Sequence, residues 1–229
     1  VICLMIFIYW NNIAKFRLCL NFKRNDLRNL FKLVLPVILV NIFSQLNFVV
    51  DRSMASQLDS GSISMINYAS TIAFLLHTVI GSSIISIAYT ELSKLQNSNS
   101  FIYDLNKYKN ILLAILIPCC ITIICNAETI VSIIFGRGKI SNSNVNTISI
   151  LLIMYIPCSF FMCLRDLYNR VLYIKGNTTI PSIINFFGLL LNIILNIILV
   201  KFYGIYGLVC ASSMTCFVTF VITFLYYKK

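Results

Sequence analysis

The chain has 229 residues, of which 59% are hydrophobic and only 11% are charged, and its mean hydropathy is +0.89. A soluble domain with a polar surface is far less apolar, so these values exclude that class and predict a membrane protein. The formal net charge of +11 would also fit a nucleic-acid-binding protein, and the placement of the basic residues has to decide between the two.

The apolar opening of the chain, residues 1–10, is too short to cross a bilayer, because a spanning helix needs about 20 residues. A signal peptide is the competing interpretation, but no basic region precedes this run and no A-x-A-like cleavage site follows it. The chain also begins with Val1 and not with an initiator methionine. We therefore expect residues 1–10 to be the end of a preceding transmembrane helix in a truncated chain.

Residues 11–30 mix basic residues with apolar ones, as surface-lying helices do, and are predicted to form a basic cytoplasmic or interfacial linker. Residues 31–229 are predicted to form a six-helix membrane lobe, because six apolar segments are long enough to cross about 30 Å of hydrocarbon. These are segments A (31–52), B (63–90), C (108–134), D (147–170), E (180–201) and F (204–227). The predicted fold class is an all-α polytopic membrane protein.

The basic residues lie mostly on one side of these segments. Fourteen of the 18 Lys and Arg residues fall before A, between B and C, in the D-to-E region and at the C-terminus, and four fall in the alternate connections. The positive-inside rule predicts this split for six consecutive spans with the C-terminus in the cytoplasm. Topology thus explains the positive charge, and a nucleic-acid partner is not expected.

The sequence offers no catalytic or metal-binding constellation. Eight of the nine cysteines lie in apolar runs, no C-x-x-C pair occurs, and His77 has no second soft ligand at helical spacing. The seven acidic residues form no plausible intramembrane acid–base pair, and no hydrolase, Walker or zinc-protease motif is present. These patterns favour transport or a structural role, so we do not expect an enzyme.

Polar side chains inside the apolar segments carry the strongest functional signal, since an unpaired buried amide costs about 2 to 7 kcal/mol. In segment E, Asn185, Asn192 and Asn196 fall on one helical face. In segment A, Asp51 is an intramembrane carboxylate, which marks a functional site by default. One interpretation is that such groups join helices, each contributing about 0.6 to 2 kcal/mol. The other is an all-oxygen cage for a hard cation such as sodium, with a proton as the rival ligand.

Five motifs occur in order and at close spacing along the chain. They are a polar helix that ends in VD with MASQLDSGSISMINYAS shortly after it, the loop FGRGKIS, the turn RVLYIKGNTTIP, the helix LNIILNIILV and the run GLVCASS. In this order they resemble the MurJ/MviN family of the multidrug/oligosaccharidyl-lipid/polysaccharide exporter superfamily. The resemblance covers nearly everything from about residue 30 to residue 227.

The resemblance implies a flippase that moves lipid II, the undecaprenyl-pyrophosphate-linked peptidoglycan precursor, across the bacterial cytoplasmic membrane by alternating access. Family members have two six-helix lobes around a central cavity, so segments A to F would form the second lobe. The implied partners are the precursor, membrane lipids and the missing N-terminal lobe of the same protein. An exporter of another lipid-linked saccharide, a cation-coupled drug antiporter of the same superfamily and a non-transporting membrane assembly protein remain the alternatives.

The resemblance also implies a sodium site, and no other cofactor is expected. The matching positions in this chain are Asp51, Asn192, Asn196, Ser212 and the main-chain carbonyl near Leu208. Asn196 stands where the family has a second acid, so one negative charge is lost. This loss is expected to weaken cation binding.

Further residues are predicted to line the cavity or to contact an anionic headgroup. The cavity-lining set is Asn41, Gln45, Asn67, Thr71, His77 and Asn185. Arg52 and Arg137 lie on the outer side and would belong to a gate or anchor the interface. Arg165 and Arg170 lie on the cytoplasmic side and would meet a headgroup or simply follow the positive-inside rule. The basic residue that many relatives carry in segment B is absent here, which keeps the exporter alternative open.

Overall fold

A computed structural model describes residues 24–58, 60–96, 98, 100–136 and 142–228. The segment predicted to end a preceding helix and most of the predicted linker lie outside these residues, as does Arg137. The chain divides into two compact units, residues 1–35 and 36–229. Of the first unit, the structure describes only residues 24–35, which are helical.

The described part of the chain is helical, with short turns between the helices. The elements are α1 (Arg24–Ala55), α2 (Ser62–Leu75), a π-helical stretch (Leu76–Gly81), α3 (Ser82–Lys94), α4 (Phe101–Cys125), α5 (Ala127–Phe135), α6 (Asn142–Ile174) and α7 (Thr179–Lys228). Five helices among these residues are long and apolar enough to cross a membrane, and α2, the π-helical stretch and α3 together make one of them. The predicted fold class, an all-α polytopic membrane protein, is confirmed.

Helix α7 contains a reversal that separates the predicted segments E and F. Its backbone leaves the helical region at Gly204, where φ is 54° and ψ is −130°. A β-carbon at Gly188 would lie 2.7 Å from Cγ2 of Thr219, and one at Gly207 would overlap the carbonyl oxygen of Leu199. The chain therefore folds back on itself, and we call residues 179–203 the first limb of α7 and residues 205–228 its second limb.

The turn between α6 and α7 follows from its sequence. The N–H of Asn177 donates to the carbonyl of Leu172, and the N–H of Gly176 donates to that of Tyr173, each at 2.9 Å. Gly176 has φ 76°, a left-handed conformation that glycine adopts readily at helix ends. The side chain of Asn177 then accepts the N–H of Ile180 at 3.4 Å, so one residue helps to end α6 and to begin α7.

Two features of the spans differ from the sequence-based expectation. The predicted segment C, 108–134, is broken at Asn126, so α4 and the nine-residue α5 replace one long helix. Asn126 adopts a non-helical conformation, with φ −115° and ψ 20°, and its side chain donates to the carbonyl of Thr122 at 2.9 Å. Within segment B, six residues adopt π-helical geometry, which hydropathy cannot reveal.

Helix α6 lies at the centre of the second unit and is the most buried of the five spans. Leu151, Leu152, Leu167 and Val171 are fully or almost fully buried along it. Large apolar side chains elsewhere remain exposed, such as Ile197 and Phe187 on the first limb of α7, as expected of helices that face hydrocarbon. Part of the polar content of the spans is buried among the helices, including Asn192, Asn196 and Thr219.

Candidate functional site: a polar cavity among spanning helices

The carboxylate of Asp51 joins three helical segments. It lies near the C-terminal end of α1 and accepts a hydrogen bond of 2.7 Å from Nδ2 of Asn196, on the first limb of α7. Its other oxygen accepts a hydrogen bond of 2.9 Å from the hydroxyl of Ser212, on the second limb. Because the reversal at Gly204 brings the two limbs together, residues that are far apart in sequence meet on one carboxylate.

Further hydrogen bonds hold Asn196 and Ser212 in place. Nδ2 of Asn196 also donates to Oδ1 of Asn192, one turn earlier, at 3.0 Å. The hydroxyl of Ser212 lies 3.2 Å from the carbonyl oxygen of Leu208, again one turn earlier. The structure thus brings together all five residues that the resemblance implies, Asp51, Asn192, Asn196, Leu208 and Ser212, while their role as sodium ligands stays a prediction.

The donor set fits a small hard cation. It contains a carboxylate, two amide oxygens, a hydroxyl and a main-chain carbonyl, all of them oxygen ligands. Asn196 is fully buried, and its Oδ1 has no hydrogen-bond partner within the described part of the chain. Rotating this amide by 180° exchanges its oxygen and nitrogen, which would present Oδ1 to an ion beside Asp51. In the other orientation, the amide N–H satisfies the carboxylate without an ion.

A cavity of about 100 Å³ extends beside Asp51, which is enough for several water molecules. It is walled by α1, α2, α6 and both limbs of α7. Its polar lining residues are Ser44, Asn47, Asp51, Arg52, Asn67, Ser70, Tyr155, Arg165, Asn185, Asn192, Ser212, Thr215 and Thr219. Oδ1 of Asn47 and Oγ1 of Thr215 are buried and have no partner among the described residues, and such oxygens normally bind water.

The predicted cavity-lining residues fall into two groups. Asn67 and Asn185 line this cavity, and Nδ2 of Asn185 donates to the carbonyl of Pro181 at 2.7 Å. Asn41 and Gln45 are instead exposed, in a shallow groove on α1 whose other lining residues are apolar. Thr71 is exposed as well, and its hydroxyl donates to the carbonyl of Asn67 at 2.7 Å. For the exposed residues, contact with a cavity outside these helices remains a prediction.

His77 takes part in a network that sequence reasoning missed. It lies in the π-helical stretch, and its Nε2 is 2.8 Å from Oδ2 of Asp166 on α6. Oδ1 of Asp166 accepts hydrogen bonds from Nε and Nη2 of Arg165, at 3.3 and 3.2 Å. Ionisable residues inside a membrane usually pair with one another. The presence of a histidine in one apolar segment and an Arg-Asp dipeptide in another could therefore have predicted this contact.

The arginines predicted to meet a headgroup or a gate are placed differently from one another. Arg52 and Arg165 both line the cavity, and the Arg165 side chain is only 13% exposed. Arg170 is exposed, and its guanidinium carbon lies 5.5 Å from the centroid of the Tyr89 ring, a cation–π arrangement between α6 and α3. The Arg170 contact favours a packing role at that position.

Comparisons with known proteins agree with this architecture. The family model described as "Lipid II flippase MurJ" matches residues 1–229. A protein of Thermotoga maritima named probable lipid II flippase MurJ is 27% identical over 208 residues, which cover 91% of this chain and 43% of the relative. A Vibrio cholerae protein of the same name is 25% identical over 195 residues, or 84% of this chain and 37% of the relative. The chain therefore spans less than half the length of these curated relatives.

Solved structures show the same likeness. A structure described as "Lipid II flippase MurJ, inward closed conformation" superposes with a TM-score of 0.78 at 28% identity, covering 99% of this chain and 48% of the other. A multidrug resistance transporter of the MATE family, in an outward-facing conformation, has a TM-score of 0.64 at 17% identity over 83% of this chain and 42% of the other, which shows a shared fold alone. Because the family model spans every residue, the chain belongs to the lipid II flippase MurJ family.

Proposed function

We propose that this chain forms one lobe of a flippase that translocates lipid II across the bacterial cytoplasmic membrane by alternating access. The observation that carries the proposal is a cavity beside Asp51 that is lined by many polar side chains, has room for several water molecules and lies among spans with exposed apolar side chains. Membership of the family supports lipid II as the transported lipid. The partners are the lipid-linked precursor, the surrounding lipids and the other lobe of the same protein.

The substrate itself explains why such a lobe needs a polar interior. A pyrophosphate–saccharide head cannot cross hydrocarbon, because desolvating charged groups there costs far more than any apolar contact returns. The polyprenyl tail has no reason to leave the hydrocarbon. Two lobes that open in turn toward each side of the membrane meet both requirements, and the described spans supply the walls of one lobe.

Within this proposal, Asp51, Asn192, Asn196, Ser212 and the Leu208 carbonyl would hold a sodium ion. A bound sodium ion supplies a positive charge that neutralises Asp51. The same carboxylate already links α1 to both limbs of α7 through Asn196 and Ser212. The charge of Asp51 therefore affects the packing of three helical segments. An ion that drives the return of a transporter to its starting conformation has to change such packing.

Arg165 is a partly buried cation that the proposal places near the substrate path. Its guanidinium lines the cavity and is held by Asp166 on the same helix. A guanidinium has five N–H donors, and two of its nitrogens contact Asp166, so donors remain for an anionic oxygen. Arg52 lines the same cavity near the outer end of α1, where it would belong to a gate. In the proposed orientation, the C-terminal end of α1 faces the outer side of the membrane and the C-terminus of the chain lies in the cytoplasm.

Complementation tests the function. The complete gene product would be expressed in a bacterial strain depleted of its own lipid II flippase, with membrane abundance measured by immunoblot. We expect growth and normal cell shape with the unmodified gene and loss of both with Asp51→Ala. Lack of growth despite normal membrane abundance of the unmodified protein would overturn the proposal.

The uncharged lining of α2 supports a second function, export of another lipid-linked saccharide. Asn67 and Ser70 line the cavity on this helix, in the segment where the family resemblance implies a basic residue. Binding of purified protein to lipid II and to an undecaprenyl-pyrophosphate oligosaccharide without peptide separates the two. Tighter binding of lipid II supports the flippase, and a preference for the peptide-free lipid supports the exporter.

A further inference from the structure

Two cysteine thiols from different helices meet at the wall of the cavity. Sγ of Cys158, on α6, lies 3.0 Å from Sγ of Cys216, on the second limb of α7. Both cysteines are free thiols in this structure, and both line the cavity beside Asp51. Within the described residues, no other two cysteine sulfurs lie within hydrogen-bonding distance of each other. The transport proposal gives this pair no role.

The two helices are held together next to the thiols. The hydroxyl of Ser213 donates to the carbonyl of Met154 at 2.7 Å, so the same two helices also touch about one turn earlier. From this contact to the thiol pair, both chains advance in the same direction, from Met154 to Cys158 and from Ser213 to Cys216. The helices therefore run parallel here, and the thiols face each other without any sliding of one helix along the other.

We propose that Cys158 and Cys216 form a redox modification site, in which a peroxide converts the thiol pair into a disulfide that joins α6 to the second limb of α7. A disulfide bond is about 2.0 Å long, so the sulfurs have to approach by only about 1 Å. Hydrogen peroxide is small and uncharged, and the cavity that both residues line has room for several water-sized molecules. The site thus combines two aligned thiols with space for the oxidant.

The difference in burial between the two thiols sets the order of the reaction. Cys216 is half-buried, whereas Cys158 is only 2% exposed, so the sulfur of Cys216 attacks peroxide first. This sulfur takes one peroxide oxygen as the O–O bond breaks, which gives a sulfenic acid and one water molecule. The sulfur of Cys158 then displaces the hydroxyl group from that sulfenic acid, forming the S–S bond and releasing a second water. Two thiols have lost two electrons in total, and the peroxide has been reduced to water.

The bond would fasten the helix that supports the Asp51 cluster. Ser212, which donates to Asp51, lies one turn before Cys216 on the second limb of α7. A disulfide at Cys216 would fix that limb against α6, the most buried span. Oxidation is therefore expected to restrict movement between two walls of the cavity and to make the folded state harder to unfold.

Disulfide mapping tests the proposal directly and does not depend on transport. Membranes that contain the complete gene product are treated with hydrogen peroxide, blocked with N-ethylmaleimide, digested and analysed by mass spectrometry. We expect a Cys158–Cys216 cross-linked peptide that disappears after reduction with dithiothreitol. Cys158→Ser and Cys216→Ser should each lose it, and Cys125→Ser, a change at an exposed cysteine, should keep it. Absence of the peptide from oxidised unmodified protein, or pairing of either residue with another cysteine, would overturn the proposal.

Thermal unfolding provides a second readout. In detergent, the oxidised complete protein should melt about 5 °C or more above the reduced protein, in keeping with the usual stabilisation by a disulfide. Cys158→Ser should melt at one temperature whether or not it has been exposed to peroxide. Equal melting of the oxidised and reduced unmodified protein would contradict the predicted fastening of the two helices.

Discussion

Asn196 donates a hydrogen bond of 2.7 Å to the carboxylate of Asp51, although 145 positions separate the two residues in the chain. The contact ties the end of α1 to the middle of the first limb of α7. Ser212 completes the arrangement from the second limb, at 2.9 Å from the other carboxylate oxygen. One carboxylate therefore fixes three helical segments, and a change in its charge or partners should alter the stability of the whole cluster.

Replacing Asp51 with Asn tests the proposed ion site. The substitution keeps the size of the side chain and an oxygen for Ser212, but it removes the negative charge. An ion at 100 times its dissociation constant stabilises a protein by about 2.7 kcal/mol, or about 5 to 10 °C in melting temperature for a domain of this size. We expect sodium to raise the melting temperature of the unmodified complete protein by about this amount and that of Asp51→Asn hardly at all.

The matched control for this experiment is Glu128→Gln, which removes an exposed carboxylate on α5. It should respond to sodium as the unmodified protein does, and potassium or choline should not replace sodium in either. An equal sodium response in Asp51→Asn and the unmodified protein would eliminate Asp51 as an ion ligand.

Asn196→Asp restores the second acid that the resemblance implies at this position. Without sodium, two carboxylates at hydrogen-bonding distance repel each other, so the variant should melt below the unmodified protein. With sodium, the added charge should tighten sodium binding by about tenfold or more. A tenfold change in affinity corresponds to about 1.4 kcal/mol, which a second carboxylate next to the ion can supply. Sodium titrations followed by thermal unfolding measure both effects. Asn106→Asp, which adds a carboxylate on the exposed face of α4, is the control; a sodium affinity no higher than in that variant would be inconsistent with the site.

The sequence predicted this cluster only in part. Hydropathy located the spans, and helical periodicity placed Asn185, Asn192 and Asn196 on one face, which the structure buries. The partnership of Asp51 with Ser212 depends on the reversal at Gly204, and no local pattern encodes which limb faces α1. The family resemblance predicted that Asp51 and Ser212 belong to one site. Helical periodicity could not predict it, because periodicity describes one helix and not its contacts with others.

Two exposed amides on α1 illustrate the limit of periodicity. Asn41 and Gln45 are four residues apart, and so are Asn192 and Asn196. Asn41 and Gln45 nevertheless lie on an exposed face with apolar neighbours. Spacing shows that residues share a face and does not show what that face contacts. Water would cover this face if the proposed second lobe encloses a cavity there, and hydrocarbon would cover it if lipid lies there.

Thiol labelling decides between those environments. In the complete gene product with its native cysteines replaced by Ser, we expect Asn41→Cys and Gln45→Cys to react with a membrane-impermeant aqueous thiol reagent, because we predict that they line the central cavity. Ile115→Cys on α4, which is also exposed but sits in an apolar stretch, should react at least about tenfold more slowly, since thiols react as thiolates and hydrocarbon disfavours charge. Slow labelling at all three positions would place Asn41 and Gln45 against lipid.

The close approach of the two limbs of α7 leads to a stability prediction. A β-carbon at Gly188 would lie 2.7 Å from Cγ2 of Thr219, whose hydroxyl is held by the carbonyl of Thr215 at 2.9 Å. Gly188→Ala should therefore overpack the interface and cost about 1 to 3 kcal/mol, seen as a fall of about 2 to 10 °C in melting temperature.

Removing the opposing methyl group should relieve this clash. Gly188→Ala combined with Thr219→Ser is expected to recover most of the loss, because serine keeps the hydroxyl and lacks Cγ2. Combination with Thr223→Ser, the same chemical change one turn further along, should recover none. Equal melting of the two double variants would mean that the limbs do not pack as described.

The network around His77 is a feature that the sequence did not predict. From the sequence, His77 belongs to the predicted cavity-lining set and Asp166 has no assigned role, and the structure joins the two across α6 and the π-helical stretch. The six residues of π-helix change the direction in which side chains point, and they occur inside a segment that hydropathy treats as uniform. The contact between His77 and Asp166 depends on the local π-helical geometry.

Asp166 should matter more to stability than His77, because it is the residue that neutralises Arg165. The Arg165 side chain is 13% exposed, and Asp166→Asn would leave its charge uncompensated, at a cost of about 1 to 3 kcal/mol. His77→Gln keeps a donor within reach of Asp166 and should cost less than about 1 kcal/mol. Thermal unfolding of the complete protein in detergent measures both. The double variant Arg165→Gln with Asp166→Asn removes both charges and should recover part of the loss. If His77→Gln destabilised as much as Asp166→Asn, or if the double variant recovered nothing, the histidine contact and not the neutralisation of Arg165 would be the main stabilising interaction.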